Sequence, residues 1–157
     1  MKILLIGPQG SGKSTQARLL SEYLHVPVIS TGDIFRETDL GPVIRNIIES
    51  GKLVDDQTTC QIVNSRLEKP DCQNGFVLDG YPRTVEQVRI FDPKVDLVIY
   101  LDVPKEEVVE RLTKRARPDD TPESIKTRLD LYYRETETLL SFYKNLARVR
   151  FRSKMSK

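Results

Sequence analysis

The stretch Gly7-Pro8-Gln9-Gly10-Ser11-Gly12-Lys13-Ser14 carries the spacing G-x-x-x-x-G-K-[ST]. Its glycines let the backbone curl until its N–H groups converge on phosphate oxygens. A helix opening directly after such a loop adds its positive N-terminus. The lysine reaches the β- and γ-phosphates, and the hydroxyl after it can ligate Mg²⁺. These residues predict a phosphate-binding loop for a nucleoside triphosphate, with Mg²⁺ as cofactor. Asp79 ends the apolar run Phe76-Val77-Leu78, where P-loop enzymes place the acid of the metal shell. Its position alone also suits a turn or a capping carboxylate. Arg111 and Arg115 stand four apart, on one face of a helix. Unpaired, two such arginines repel unless an anion sits between them, and Arg suits bidentate phosphate contact better than Lys.

These residues need a frame. Ile3–Ile6 is a short, wholly apolar run, the pattern of a buried parallel strand. Val26–Ile29, Gly75–Asp79, Val95–Asp102 and Arg148–Arg152 are the further strand candidates. Between them, helices are expected over Lys13–Leu24, from Gly32 to the break at Gly41-Pro42, over Val43–Glu49, from Asp55 or Asp56 to before Pro70, from Thr84 to before Pro93, from Pro104 to about Lys114, and as one long helix from about Pro122 to Lys144. Gly51 reads as a helix C-terminal cap, and Ile44, Ile47 and Ile48 as core-packing residues. Strands alternating with helices imply parallel β-α-β units with right-handed crossovers. The expected fold is α/β: a P-loop three-layer sandwich, an about five-stranded parallel sheet with helices on both faces. Ligands bind such sheets beyond the carboxyl ends of the strands, where the loop, Asp79 and Asp102 all fall.

Composition narrows the partners. Twenty-five Lys and Arg against 23 Asp and Glu leave a net charge of +2 in 157 residues. Neither nucleic acid nor a membrane is expected from so weak a field. The N-terminal apolar run is too short for a signal peptide or a membrane helix. Cys60, Cys72 and the single His25 do not make a zinc site. Two reduced thiols suit a cytoplasmic protein.

At Ser30-Thr31-Gly32-Asp33-Ile34-Phe35-Arg36, Gly51-Lys52-Leu53-Val54 and Asp79-Gly80-Tyr81-Pro82-Arg83-Thr84 the chain resembles the adenylate kinase family of nucleoside monophosphate kinases. The match runs from residue 1 to about 144, and the joint occurrence of these motifs is highly specific. The resemblance implies γ-phosphoryl transfer from Mg-ATP to AMP, giving two ADP. It implies that Gly10, Ser11, Gly12, Lys13, Ser14 and Thr15 bind ATP, with Arg111 and Arg115 clamping it. Thr31, Arg36, Lys52, Leu53, Val54, Gly80, Arg83, Gln87, Arg117 and Arg128 would form the AMP site, Gln87 pairing with the adenine edge. Arg117 and Arg128 would surround the transferring group, acting with Lys13 and Arg83 in catalysis, and Ser14 and Asp79 would hold Mg²⁺, in part through water. Thr31 together with Gln87 favours AMP over CMP or UMP, the alternative acceptors. A nucleotide-binding protein without turnover is the non-enzymatic alternative. No general base is required, since the second pKa of a phosphate monoester lies near ~6 and the acceptor is already charged. The implied organisation is one kinase domain over 1–157, with an AMP-binding insertion at about 30–54 and a minimal lid at about 115–122. It is expected to act as a monomer, with a homo-oligomer as the alternative.

The chain departs from the family pattern in three places, one of them the segment Thr38–Pro42, which is shorter than the usual AMP-site insertion. Only Ala116 separates Arg115 from Arg117, where longer members insert tens of residues as a lid. After Arg148–Arg152 only Ser-Lys-Met-Ser-Lys remains, where the family has a loop for the ATP base and a final helix. A short lid excludes water less fully. ATP loss without AMP is therefore expected to exceed that of a long-lid relative, and equal rates in the two enzymes would contradict the expectation.

Overall fold

The structure is a computed structural model that describes residues 1–37, 41–115, 117, 120–144 and 147–152. Five strands, β1 (Lys2–Ile6), β2 (Val28–Ser30), β3 (Phe76–Asp79), β4 (Leu97–Asp102) and β5 (Ala147–Arg152), form one sheet in the order β2-β3-β1-β4-β5. Every pairing is parallel. The helices are α1 (Lys13–Leu24), α2 (Thr31–Glu37), α3 (Gly41–Glu49), α4 (Asp56–Leu67), α5 (Val85–Ile90), α6 (Lys105–Arg115), α7 (Pro122–Leu131) and α8 (Leu139–Phe142).

Strand periodicity divides the core. Leu4, Ile6, Phe76, Leu78 and Val98 point to one face, against Cys60 and Val63 of α4, Val88 of α5, and Tyr132, Leu139 and Tyr143. Ile3, Leu5, Val77 and Leu101 point to the other, against Ala17 of α1. Side chains alternate between faces along a strand, so a strand covered on both sides must be apolar at every position. The result is the expected three-layer α/β sandwich with a five-stranded parallel sheet. A smaller cluster of Val103, Val108, Leu112, Ile125 and Leu129 joins α6 to α7.

Three local expectations change. The fourth strand begins at Leu97 rather than Val95, although the Asp96 N–H still donates to the Lys2 carbonyl at 2.8 Å. The long helix is not continuous. After Leu131 it widens into a π-helical segment, Tyr132–Thr136, in which the Glu137 N–H donates to the Tyr132 carbonyl, before α8 resumes. Widening by one residue per turn re-aims the following side chains, which period-3.6 reasoning does not register. The α3 face is not core: Ile44, Ile47 and Ile48 are half-buried and Val43 is 70% exposed. Gly51 does end α3, as its N–H donates to the Ile48 carbonyl and that of Lys52 to Ile47, a Schellman pattern.

The register aligns the strand ends that matter. Leu5 lies opposite Asp79, and Ser30 opposite Asp79 on the other side. The loop after β1, the start of α2 and the turn after β3 therefore meet at one sheet edge. The centre of this scaffold sets its stability. Leu78, fully buried in the larger core, leaves a cavity when truncated, so Leu78→Ala should cost roughly 3 kcal/mol. Urea unfolding checks this, with a lowered midpoint at unchanged slope expected; a loss under about 1 kcal/mol would refute it.

Candidate active site

The Gly7–Ser14 loop joins β1 to α1 at the carboxyl edge. Gly10 has φ +83°, and a Cβ there would lie 2.9 Å from Leu112 Cγ of α6; both facts require glycine. Lys13 folds back over the loop and donates through Nζ to the carbonyls of Gly7 at 2.8 Å and Pro8 at 3.0 Å. Burial pushes its ammonium below the ordinary lysine range; Asp79 opposes this, and Arg83 and Arg115 reinforce it. Ser14 Oγ donates to Asp79 Oδ2 at 2.9 Å, so the two expected metal ligands meet. Thr15 lines the cavity above the loop. The Ser11 side chain does not. It is 2% exposed, its hydroxyl has no partner among the described residues, and its Oγ lies under the loop, 2.8 Å from where a Gly7 Cβ would stand.

That cavity encloses about 320 Å³. Lys13 and six arginines (Arg36, Arg83, Arg111, Arg115, Arg117 and Arg128) line it, with Asp79 the one carboxylate among its lining residues. A cleft so weighted concentrates anions. A smaller cavity of about 60 Å³ adjoins it and is lined by Thr31, Lys52, Leu53, Val54 and Gln87. Gly80, Arg36, Arg83 and Arg128 line both. All the residues expected at the monophosphate site thus border the smaller cavity except Arg117, which borders the larger.

Arg83 stands at the junction, held on three sides. Its N–H donates to Gln87 Oε1 at 2.7 Å, its Nε to the Gly80 carbonyl at 2.9 Å, and its own carbonyl accepts from Thr136 Oγ1 at 2.9 Å. Burial pushes its guanidinium below the usual arginine range; Arg128 and Arg36 add to this and Asp79 opposes it. Gly80, at φ +88°, brings its backbone close to Thr31, whose Oγ1 donates to the Gly80 carbonyl at 2.9 Å. Arg36 is paired with Asp33, and Arg128 Nη2 donates to the Ile48 carbonyl at the end of α3.

The arginines of α6 are arranged differently from expectation. Arg111 and Arg115 share a face but are not left to repel. Arg111 pairs with Glu107 one turn earlier and donates to the Gly10 carbonyl. Arg115 clasps Asp120 through Nε and Nη2, at 2.9 and 2.7 Å. The protein's own carboxylates supply the anions. Asp120, with no side-chain exposure, also accepts from Arg128 Nη1 and from the Arg117 N–H. Sequence reasoning also missed Tyr132 and Thr136, which line the larger cavity from the π-helical segment; no spacing announces them. His25 is the exposed C-cap of α1.

The sequence matches the adenylate kinase family model over residues 5–148. It is 44% identical over 155 residues to the adenylate kinase of Corynebacterium urealyticum, across 91% of this chain and 86% of that protein. It is 46% identical over 158 residues to that of Nocardia farcinica, across 93% and 87%, and 45% identical over 159 residues to that of Bifidobacterium longum, across 91% and 86%. The chain belongs to the adenylate kinase family. Within this family member, Arg117 and Asp120, which lie between α6 and α7, are tied to the flanking helices through the Asp120 carboxylate.

That carboxylate has a pH signature. Burial alone would raise the Asp120 carboxyl, but the hydrogen bonds and charge of Arg115, the Arg117 N–H and the charge of Arg128 outweigh it and hold it below the usual range. A carboxyl lowered on folding stabilises above its unfolded pKa of about 3.9, and that stability is lost as pH falls through the folded value. Asp120→Asn should cost roughly 2 kcal/mol at pH 7, and progressively less as pH falls below about 3.9 toward and through the lower folded value. Thermal melts across that range measure it, and wild-type and variant curves that run parallel would sink the assignment.

Proposed function

We propose that this chain transfers the γ-phosphoryl group of Mg-ATP to AMP, with the larger cavity holding the ATP phosphates and the smaller one AMP. The observation that carries this reading is the pair of adjoining cavities sharing Arg36, Arg83 and Arg128. Hydrolysis of one nucleotide requires only the first cavity. Transfer between two requires a second anion site opening onto the same cations.

In this reading the backbone and side chains of Gly10, Ser11, Gly12, Ser14 and Thr15 surround the ATP phosphates, with the hydroxyl of Ser11 contributing to the loop's underside rather than to ligand. Lys13 reaches the transferring group, and Arg111 and Arg115 neutralise the ATP phosphates from α6. Arg36 and Arg83 hold the AMP phosphate. Thr31, Lys52, Leu53, Val54 and Gly80 enclose the base, and Gln87 meets its edge. Arg83, Arg117 and Arg128 surround the phosphoryl group in flight. Phosphoryl transfer is governed by positioning and charge neutralisation. The Arg83 guanidinium remains charged despite its lowered pKa, and its enclosure strengthens its attraction for a phosphate. The acceptor oxygen needs no base, because the monophosphate is ionised at neutral pH.

The oxygen donors Ser14 Oγ and Asp79 Oδ2, 2.9 Å apart on the cavity wall, fit Mg²⁺, a hard ion that takes few protein ligands and completes its shell with water and phosphate. Bound there, it would neutralise charge on the phosphate oxygens. In this reading the working unit is a monomer. The free thiols of Cys60 and Cys72 support a cytoplasmic setting.

ADP formation from ATP plus AMP tests the reading. Activity is expected to require Mg²⁺ and to fall at least ~10³-fold in Lys13→Ala, within the range for removing a charge at a transferring phosphoryl group. Background ADP formation by the folded wild-type chain would remove it.

A further inference from the structure

Gln87 is 1% exposed and lines the smaller cavity, yet two bonds of its amide are made inside the protein. A glutamine amide offers two N–H donors and two carbonyl lone pairs. Which end is oxygen is ordinarily an assignment, but here the partners decide it. The Arg83 backbone N–H, 2.7 Å from one end, can only donate, so that end is Oε1. Asp56 Oδ1, 2.9 Å from the other end, can only accept when ionised, so that end is Nε2. Thr84 closes the ring. Its Oγ1 accepts from the Gln87 N–H at 3.0 Å, and its single proton therefore goes to Asp56 Oδ1, at 3.2 Å. A flipped amide would set NH₂ against N–H and carbonyl oxygen against carboxylate.

One lone pair on Oε1 and one N–H on Nε2 are left for a ligand. Their order is fixed: an acceptor from the arginine side and a donor from the aspartate side. A 6-aminopurine presents the complement, an exocyclic N–H beside the N1 acceptor. A 6-oxopurine presents the reverse, a carbonyl oxygen beside an N1–H. We infer that Asp56, which lines neither cavity, is a positioning residue that, together with the Arg83 N–H, sets the donor–acceptor polarity of Gln87 and thereby helps to select 6-amino over 6-oxopurine monophosphates. The inference rests on the smaller cavity holding the acceptor base.

The experiment compares AMP with IMP, which differ at position 6 and the adjoining N1 proton, as acceptors at saturating Mg-ATP. It uses wild type, Asp56→Ala and the isosteric Asp56→Asn, whose amide can face either polarity. The ratio of kcat/KM for AMP to that for IMP should fall about tenfold in Asp56→Ala and about threefold in Asp56→Asn, within the discrimination that a bidentate amide–base contact provides. The loss should lie in KM for AMP, with kcat at saturating AMP within about threefold of wild type. A purely structural role would lower the melting temperature and depress both acceptors equally. A ratio unchanged in the folded variants overturns the inference, and Asp56→Asn decides alone if Asp56→Ala does not fold. Failure of wild type to phosphorylate AMP would instead remove the proposed function itself.

Discussion

Like-charge repulsion at the carboxyl edge of the sheet is the constraint to which the rest of this molecule answers. Lys13 and six arginines surround one cavity in which Asp79 is the one lining carboxylate. Such a cluster is tolerable only if each cation has partners that hold it without cancelling its field. The chain meets this in two ways. At the periphery, carboxylates do it: Asp33 for Arg36, Glu107 for Arg111, Asp120 for Arg115 and Arg128. Toward the centre, backbone carbonyls do it: Gly7 and Pro8 for Lys13, Gly80 for Arg83, Ile48 for Arg128. A carbonyl dipole satisfies an N–H donor but leaves the charge, and burial pushes the pKa values of the central pair, Lys13 and Arg83, down. Charge left uncompensated in a half-enclosed cleft is free energy available for binding phosphate.

Carbonyls must be aimed to act in this way, and the fold supplies the aim. The parallel sheet ends its central strands together, so that the loop after β1 and the turn after β3 present backbone to a common space. Glycines at 10 and 80 allow the close approaches this needs. The break in the last helical region belongs to the same design. By widening at Tyr132–Thr136, the chain brings the Thr136 hydroxyl onto the Arg83 carbonyl, fixing from behind one of the three arginines that the two cavities share.

What could be read from the residues follows from how local each signal is. The Gly7–Ser14 loop, the Thr84 cap, Gly51 and the alternation of strands and helices are written in contiguous residues, and they stand where expected. The apolar face of α3 was misleading because periodicity marks which side chains cluster, not whether anything covers them; Val43 lies open. The arginines of α6 were legible as anion ligands, but not as ion-paired, since Arg115 depends on where Asp120 folds back. Thr136 and the ring joining Asp56, Thr84 and Gln87 depend on contacts between distant segments, and a single sequence carries no mark of those pairings.

Asp120 can also be regarded as a tethered rival to the nucleotide. Its carboxylate occupies the same guanidinium faces that a phosphate would take, and it is present at the fixed, high local concentration of any group on the same chain. In the proposed function, a phosphate recruiting Arg115 and Arg128 would have to displace it, and the observed affinity would be the intrinsic one reduced by the fraction of time the arginines are free. The same rivalry would operate in reverse when a nucleotide leaves, the arginines returning to a partner already on the chain rather than to a mutually repelling state. On that reading the carboxylate would weaken capture and ease release together, which for a reaction that must shed two charged products favours throughput over retention.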